Sequence, residues 1–253
     1  GILGQSLLMT DLNDLDLHNV TINIPTDAQE ILSTLEADGR QAYVVGGCVR
    51  DSLIGRTPGD WDITTSALPM QVKQLFRRTV DTGIKHGTVT VMMGDTGYEV
   101  TTYRIDGNYA DGRHPDSVEF SANLRDDLKR RDFTINAMAY NNSDGLVDEF
   151  NGIGDLQAGI VRCVGDARER FTEDALRMMR AIRFSAQLGF IIDEDTYSAI
   201  GAMADTISKV SMERIHDELG KILMSDHPDY VKRLCDTRLT QYVLPIMDSI
   251  LTD

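Results

Sequence analysis

The stretch that decides the architecture is QAYVVGGCVRDSLIGRTPGDWDITTS, residues 41–66. QAYVVGG reads as a strand running into a glycine turn, VRDSLIG as a short helix closed by Gly55, and DWDITTS as a second strand. Strand side chains alternate faces, so Asp60 and Asp62 are expected on one side and Trp61 and Ile63 on the other. Two steps along a strand cover about 6.5 Å, close enough for both carboxylates to share one or two hard cations. Taken alone, Asp60-Trp61-Asp62 reads more readily as an exposed acidic strand edge. The residues ahead of it add specificity. Gly46 and Gly47 let backbone N–H groups approach a phosphate, the helix start adds positive potential, and Arg50 can add a charge-assisted bond.

Upstream, AQEILSTLEADG carries Ala28, Ile31, Leu32 and Leu35 at helical spacing and ends at Gly39. Residues 1–24 are acidic and weakly patterned and read as a loosely ordered extension. Downstream, LPMQVKQLFRRT predicts a helix with Pro69 near its start. GTVTVMMGDTGYEVTTYRI predicts a hairpin around Gly94-Asp95-Thr96-Gly97. GNYADGRHPDS is rich in Gly, Asp and Pro and predicts a mobile loop. LRDDLKRRDFTINAMAYN predicts a helix, LVDEFNG a short strand and turn, and GIGDLQAGIVRCVGD a linking segment. From Ala167 onward only helices are expected, the first running through ARERFTEDALRMMRAIRFSAQLG. The fold class is therefore α+β: a mixed α/β part over residues 25–160, then an all-α part over 161–253. The chain stops inside helical sequence without a clear terminus, which reads as a truncation.

Further groups can join the acidic pair. Glu99, in Tyr98-Glu99-Val100, is expected on the strand face opposite Val100, where it could complete metal coordination or take a proton from an attacking hydroxyl; it could also be a solvated strand residue. The trio fits two-metal phosphoryl chemistry, and Mg2+ is the natural ion because it binds through few carboxylates plus substrate phosphates. In Arg130-Arg131-Asp132-Phe133-Thr134-Ile135-Asn136, Arg131 could hold phosphate, while Asp132 and Asn136, four apart, would share a helix face and could bond a ribose. The plain alternative is a surface salt-bridge cluster. Thr172 resembles an N-cap, and Glu173 and Asp174 suit a first helical turn. Asp174 with Arg177 at i+3 can equally offer an acceptor and a planar donor fork to the edge of a base, with Arg180 and Arg183 beyond. Arg162 to Arg183 holds six Arg against four Asp or Glu.

That basic stretch is local. The formal net charge of the 253 residues is -15, which excludes nucleic-acid binding over the whole surface. No run approaches the roughly 20 apolar residues of a membrane span. Gly1 to Leu8 lack a basic start and a cleavage site, so they read as an extension rather than a signal peptide. Cys48, Cys163 and Cys235 are far apart and odd in number, the pattern of small buried thiols in a reducing, cytoplasmic compartment.

GGCVRDSLIGRTPGDWDITT, HGTVTVMMGDTGYEVTTYRIDG, RRDFTINAMAY, EDALRMMRAIRF and SMERIHDELGKIL, in that order between about Pro25 and Met224, resemble the class II tRNA nucleotidyltransferases. These are the bacterial CCA-adding enzymes of the tRNA nucleotidyltransferase/poly(A) polymerase family. The resemblance implies a nucleotidyltransferase head with a small mixed β-sheet and flanking helices, then a helical neck, with body and tail domains normally following. It implies Mg2+-dependent, template-independent addition of CMP and AMP from CTP and ATP to the tRNA 3′ end. It makes Asp60 and Asp62 metal ligands, Glu99 the third carboxylate, Gly47, Arg50 and Arg131 contacts to the incoming nucleotide, and Asp174 and Arg177 the base-reading pair, supported by Arg180 and Arg183. No membrane and no obligate protein partner are implied. Narrower relatives remain alternatives: CC-adding enzymes resemble this family with a shortened form of the loop that is intact here, poly(A) polymerases differ in the RRDFTINAMA and YEVTT wording, and A-only addition stays open. A non-catalytic nucleotide-binding regulator would be expected to lose a metal carboxylate or Arg177, and this chain keeps Asp60, Asp62, Glu99, Asp174 and Arg177.

Overall fold

The computed structural model describes residues 16–106 and 118–243. The predicted loop at 107–117, most of the N-terminal extension and the last ten residues lie outside the described residues. Two compact units emerge. The first takes in the described residues up to 106, 118–131 and 135–157; the second takes in 132–134 and 158–243.

The first unit is built on a seven-stranded sheet. Its strands are β1 (Ala42–Val45), β2 (Ile63–Thr65), β3 (Thr79–Gly83), β4 (Thr88–Met93), β5 (Thr96–Thr102), β8 (Ala139–Asn141) and β9 (Gly145–Val147), in the order β3-β4-β5-β2-β1-β8-β9. Between β5 and β8 in the chain, β6 (Arg104–Asp106) and β7 (Val118–Phe120) form a separate antiparallel pair. The sheet is mixed, because β2 and β5 run parallel while β1–β2, β3–β4, β4–β5, β1–β8 and β8–β9 are antiparallel. Every residue of β1 is buried, as a central strand requires. β5 alternates instead, with Tyr98, Val100 and Thr102 buried and Glu99 exposed, so one face stays open.

Helix α1 (Thr26–Ala37) buries Ala28, Ile31, Leu32 and Leu35, the stripe its spacing predicts. Ile31, Leu32 and Leu35 are each fully buried, worth about 1.5–3 kcal/mol apiece. Leu17 and Ile22 are buried in the same unit. Helix α2 (Gly47–Leu53) follows the glycine corner, and α3 (Pro69–Leu75) begins at Pro69, where a missing N–H costs nothing. The β4–β5 turn is tighter than expected: Met93 pairs with Thr96, leaving only Gly94 and Asp95 between the strands. Gly94 sits at φ 63°.

The predicted helix over LRDDLKRRDFTINAMAYN is corrected. Helix α4 (Leu124–Lys129) stops early, residues Thr134–Asn136 form a 3-10 turn, and Ala139–Asn141 is β8. The Asp132 carboxylate accepts the Phe133 N–H at 2.7 Å, the Thr134 N–H goes to the Arg162 carbonyl at 2.9 Å, and the Asp132 carbonyl accepts from Val164 at 3.0 Å. Those backbone groups are spent on neighbouring chain and cannot close helical turns. Part of the predicted linking segment is also ordered, as α5 (Gly152–Ala158).

The second unit is helical, with one two-stranded parallel pair of β10 (Ile160–Val161) and β11 (Ile191–Ile192). The single helix predicted from Ala167 is two: α6 (Ala167–Glu173) and α7 (Leu176–Leu188), separated at Asp174, whose backbone is extended at φ −148°, ψ 106°. Thr172 is not a cap; it lies inside α6 and donates to the Arg168 carbonyl. Asp166 caps α6, and the Asp174 carboxylate takes the Leu176 N–H at 3.1 Å. Helix α8 (Glu194–Met203), α9 (Met212–Leu223), α10 (Lys232–Asp236) and α11 (Leu239–Val243) complete the unit. No helix among the described residues is long and apolar enough to cross a membrane. Cys48 and Cys163 are buried, and burial first of all pushes each thiol up to about 12, so neither is poised as a nucleophile.

Candidate active site

In the first unit the chain turns at Gly46, which sits at φ 83°, ψ −133°. An L side chain there would be strained, and its Cβ would stand 3.4 Å from Nη1 of Arg131. The corner is thus lined by a guanidinium. Arg50, one turn into α2, is buried; its Nε bonds Asp51 at 3.0 Å and its Nη1 bonds the side-chain oxygen of Asn136. Gly46, Gly47, Arg50, Arg131 and Asn136 therefore form one group. Arg131 is held from behind by Asp127, which is fully buried and accepts from Arg131 at 3.2 Å, Arg130 at 3.2 Å and Thr64 at 3.0 Å. Burial opposes ionisation of Asp127, yet the two arginines and the Thr64 hydroxyl outweigh it and hold the carboxyl below the usual range.

The acidic residues stand beside this corner. Asp60, Trp61 and Asp62 precede β2 rather than lie within it, but the Asp62 carbonyl accepts from Val45 at 3.0 Å, so it still follows β1 up to the glycine. Ile63 pairs in parallel with Val100, and one step back that register sets Asp62 beside Glu99. Asp60, Asp62 and Glu99 line one cleft of about 370 Å3, together with Trp61, Thr90 and Tyr98. The Asp62 carboxyl is pushed up to about 6, first by the protein packed around it, then by the charge of Glu99, with Arg131 opposing and Asp60 adding. Trp61, expected on the opposite side, lines the same cleft because the segment is extended loop and not regular strand.

Among the described residues no three His, Cys, Asp or Glu side chains are close enough to hold an ion unaided. A row of oxygen-only carboxylates lining one cleft still fits a hard cation that takes one or two protein ligands and completes its shell elsewhere.

In the second unit the charged candidate residues are paired. Asp132 is buried and accepts from Arg180 at 2.9 and 2.6 Å. Arg177 is buried and donates to Glu173 at 2.7 Å and to the Arg170 carbonyl at 3.2 Å. Asp174 pairs with Arg214 at 3.5 Å, so the sequence-predicted Asp174–Arg177 pair is not formed between those two side chains. Burial first of all raises the Asp174 pKa, against the pull of Arg214 and Arg177. Arg183 pairs with Glu218 and stacks over Phe184 at 4.3 Å. Asp132 and Asn136 do not share a helix face: Asn136 belongs with Arg50 in the first unit, and Asp132 with Arg180 in the second.

Sequence reasoning missed Asp127, Arg214 and Glu218. Asp127 lies four residues before Arg131, a helical pairing distance. Glu218 falls on the stripe that Ile215 and Ile222 bury in α9, and an acid on an apolar stripe signals a buried partner.

Comparison with known proteins accords with these parts. The family described as the Poly A polymerase head domain matches residues 42–162, and the one described as a probable RNA and SrmB-binding site of polymerase A matches residues 189–251. The CCA-adding enzyme of Leuconostoc mesenteroides is 54% identical over 198 residues, covering 78% of this chain and 49% of its own length. The crystal structure of the Bacillus stearothermophilus CCA-adding enzyme in complex with CTP superposes with a TM-score of 0.80 at 44% identity, covering 86% of this chain and 53% of its own. A tRNA nucleotidyltransferase complexed with a primer tRNA and an incoming ATP analog gives a TM-score of 0.70 at 28% identity, covering 85% of this chain and 62% of its own. The chain spans about half the length of the curated relatives it matches. By sequence and by fold, the chain belongs to the tRNA nucleotidyltransferase/poly(A) polymerase family, and the Leuconostoc and Bacillus proteins it resembles are CCA-adding enzymes.

Proposed function

We propose that this chain carries the catalytic part of an enzyme that adds CMP and AMP from CTP and ATP to the 3′ end of tRNA without a template. The observation that carries the reading is the adjacency, in one unit, of Asp60, Asp62 and Glu99 to the corner formed by Gly46, Arg50 and Arg131. The Bacillus stearothermophilus relative binds CTP, and the relative solved with a primer tRNA and an ATP analog supplies the other two substrates of the reading.

In this reading Arg131 and Arg50 bind the triphosphate at the glycine corner through charge-assisted bonds. Asp60 and Asp62 would hold Mg2+. When bound, magnesium supplies the positive charge that activates a 3′-hydroxyl and steadies the leaving pyrophosphate. The 3′-oxygen bonds to the α-phosphorus as the bond to pyrophosphate breaks, and in this reading Glu99 accepts the hydroxyl proton. Asp174 and Arg177 offer an acceptor and donors to the edge of the base, with Arg214 and Glu173 fixing their side chains. Asp132 and Asn136 belong to the nucleotide-binding set as anchors of Arg180 and Arg50. The expected compartment is the cytoplasm.

The test is incubation of the complete polypeptide with Mg2+, CTP, ATP and tRNA ending before CCA, followed by sequencing of the 3′ ends. Ends completed to CCA support the reading. Ends stopped at CC, extended by A alone or lengthened into A-tracts assign a narrower relative, and no incorporation removes it.

A further inference from the structure

The open face of the sheet carries a second polar row that leads away from the acidic residues. Thr90 of β4 is in register with Glu99 of β5, and Glu99 stands beside Asp62 across the parallel β2–β5 pair. On its other side the Thr90 hydroxyl bonds that of Thr82, in β3, at 2.8 Å. Thr82, Thr90 and Glu99 thus line up across β3, β4 and β5, and Asp62, one residue before β2, continues the row. Val89 and Val91 are buried, so Thr90 faces the open side, and it lines the cleft of the carboxylates. Gly97, on the same face, makes room for it: a Cβ there would lie 2.8 Å from the Thr90 methyl, and the hydroxyl turns to Thr82. A hydroxyl in a two-member chain has one donor and two acceptor sites, so Thr90 keeps hydrogen-bonding capacity for a ligand.

The order β3-β4-β5-β2-β1 says which ligand. The glycine corner lies at the β1 end of the row and Thr90 on the far side of the acids. In an in-line displacement the attacking and leaving oxygens sit on opposite sides of phosphorus. With pyrophosphate at the glycine corner, the attacking strand enters from the β4 side. We propose that the Thr90 hydroxyl, oriented by Thr82, binds the 2′-hydroxyl of the terminal ribose of the RNA being extended and positions its 3′-hydroxyl at the carboxylates. The inference rests on the nucleotidyl-transfer reading above.

The experiment pairs each side of the bond. Two tRNA primers ending before CCA, one with a normal terminal ribose and one with its 2′-deoxy form, are extended with CTP and Mg2+ by the complete polypeptide and by its Thr90→Val and Thr90→Ser variants. Valine keeps the β-branch over Gly97 and removes only the hydroxyl. The wild type should lose about tenfold in kcat/KM on the deoxy primer, the size of one neutral hydrogen bond. Thr90→Val should be equally slow on both primers, and Thr90→Ser should discriminate like the wild type. If Thr90→Val does not fold, Thr82→Val, which leaves Thr90 in place but unheld, should narrow the discrimination. A wild type indifferent to the 2′-hydroxyl, or a Thr90→Val that discriminates as strongly as the wild type, overturns the proposal. No incorporation by the wild type on either primer removes the nucleotidyl-transfer reading itself.

Discussion

Two sets of site residues treat charge in opposite ways, the acids of the cleft in the first unit and the charged side chains of the second. In the first, Asp60, Asp62 and Glu99 make no side-chain ion pair with the rest of the described chain, and Asp62 is pushed up to about 6 by the protein packed around it and then by the charges of Glu99 and Asp60. In the second, each candidate base-reading or supporting side chain has a partner of opposite charge: Arg177 with Glu173, Arg180 with Asp132, Arg183 with Glu218, and Asp174 with Arg214. A site that must take up a cation and then do chemistry stays electrostatically unfinished, whereas a surface that must present a fixed hydrogen-bond pattern is completed in advance. Variants that touch the unfinished side should change rate, and those that touch the completed side should change choice.

The largest expected effect is on Asp62. Asp62→Ala should reduce nucleotide incorporation by about a thousandfold or more, the scale of losing a metal ligand at the reacting centre, with an unchanged melting curve. Wild-type incorporation by Asp62→Ala would break the contrast. Next is Asp127→Asn, which leaves Arg130 and Arg131 without their buried counter-charge and should cost about 3 kcal/mol of stability in denaturant unfolding. The acid dependence follows from the same group. The folded-state pKa of Asp127 lies below its unfolded value, so its contribution is complete above the ordinary carboxylate range and disappears as pH falls through the folded value. Stability measured between pH 7 and pH 3 should therefore fall less steeply in Asp127→Asn than in the wild type.

On the completed side, Arg177→Ala should lower the preference for CTP and ATP over UTP and GTP by about tenfold in competitive binding, while the rate with saturating CTP changes less. An unaltered preference would show that the base is read elsewhere. The smallest effect is expected at the corner: Gly46→Ala puts an L side chain at φ 83° against Arg131 and should cost about 1 kcal/mol, read as a shifted denaturation midpoint.

How much of this was legible depended on whether local pattern or distant partners set the structure. The glycine corner, α1 and the β4–β5 hairpin were readable because turn residues and apolar periodicity act locally, at Gly46, at Ile31–Leu35 and at Gly94. β3 was missed because its middle residues are exposed and carry no alternation. The segment from Asp132 to Asn141 was misread as helix because its backbone bonds are to distant chain, Thr134 to Arg162 and Ala139–Asn141 to β1 and β9, which helical spacing cannot reveal. The break at Asp174 was misread for a related reason: Glu173 and Asp174 both suit a helix start, but Glu173 closes α6 and only Asp174, by accepting the Leu176 N–H, opens α7. Among candidate site residues, the pattern pointed to the side chains but not to their anchors, because Asp127, Arg214 and Glu218 matter through contacts made only after folding.

The central claim is that the acids beside the glycine corner form a cation site which works together with the triphosphate. It is tested most directly by calorimetric titration of CTP into the wild type and Asp62→Asn, each with and without Mg2+. The account predicts that Mg2+ strengthens CTP binding to the wild type and that most of this gain is lost in Asp62→Asn, with the magnesium-free affinities similar. An equal gain in both proteins would contradict it.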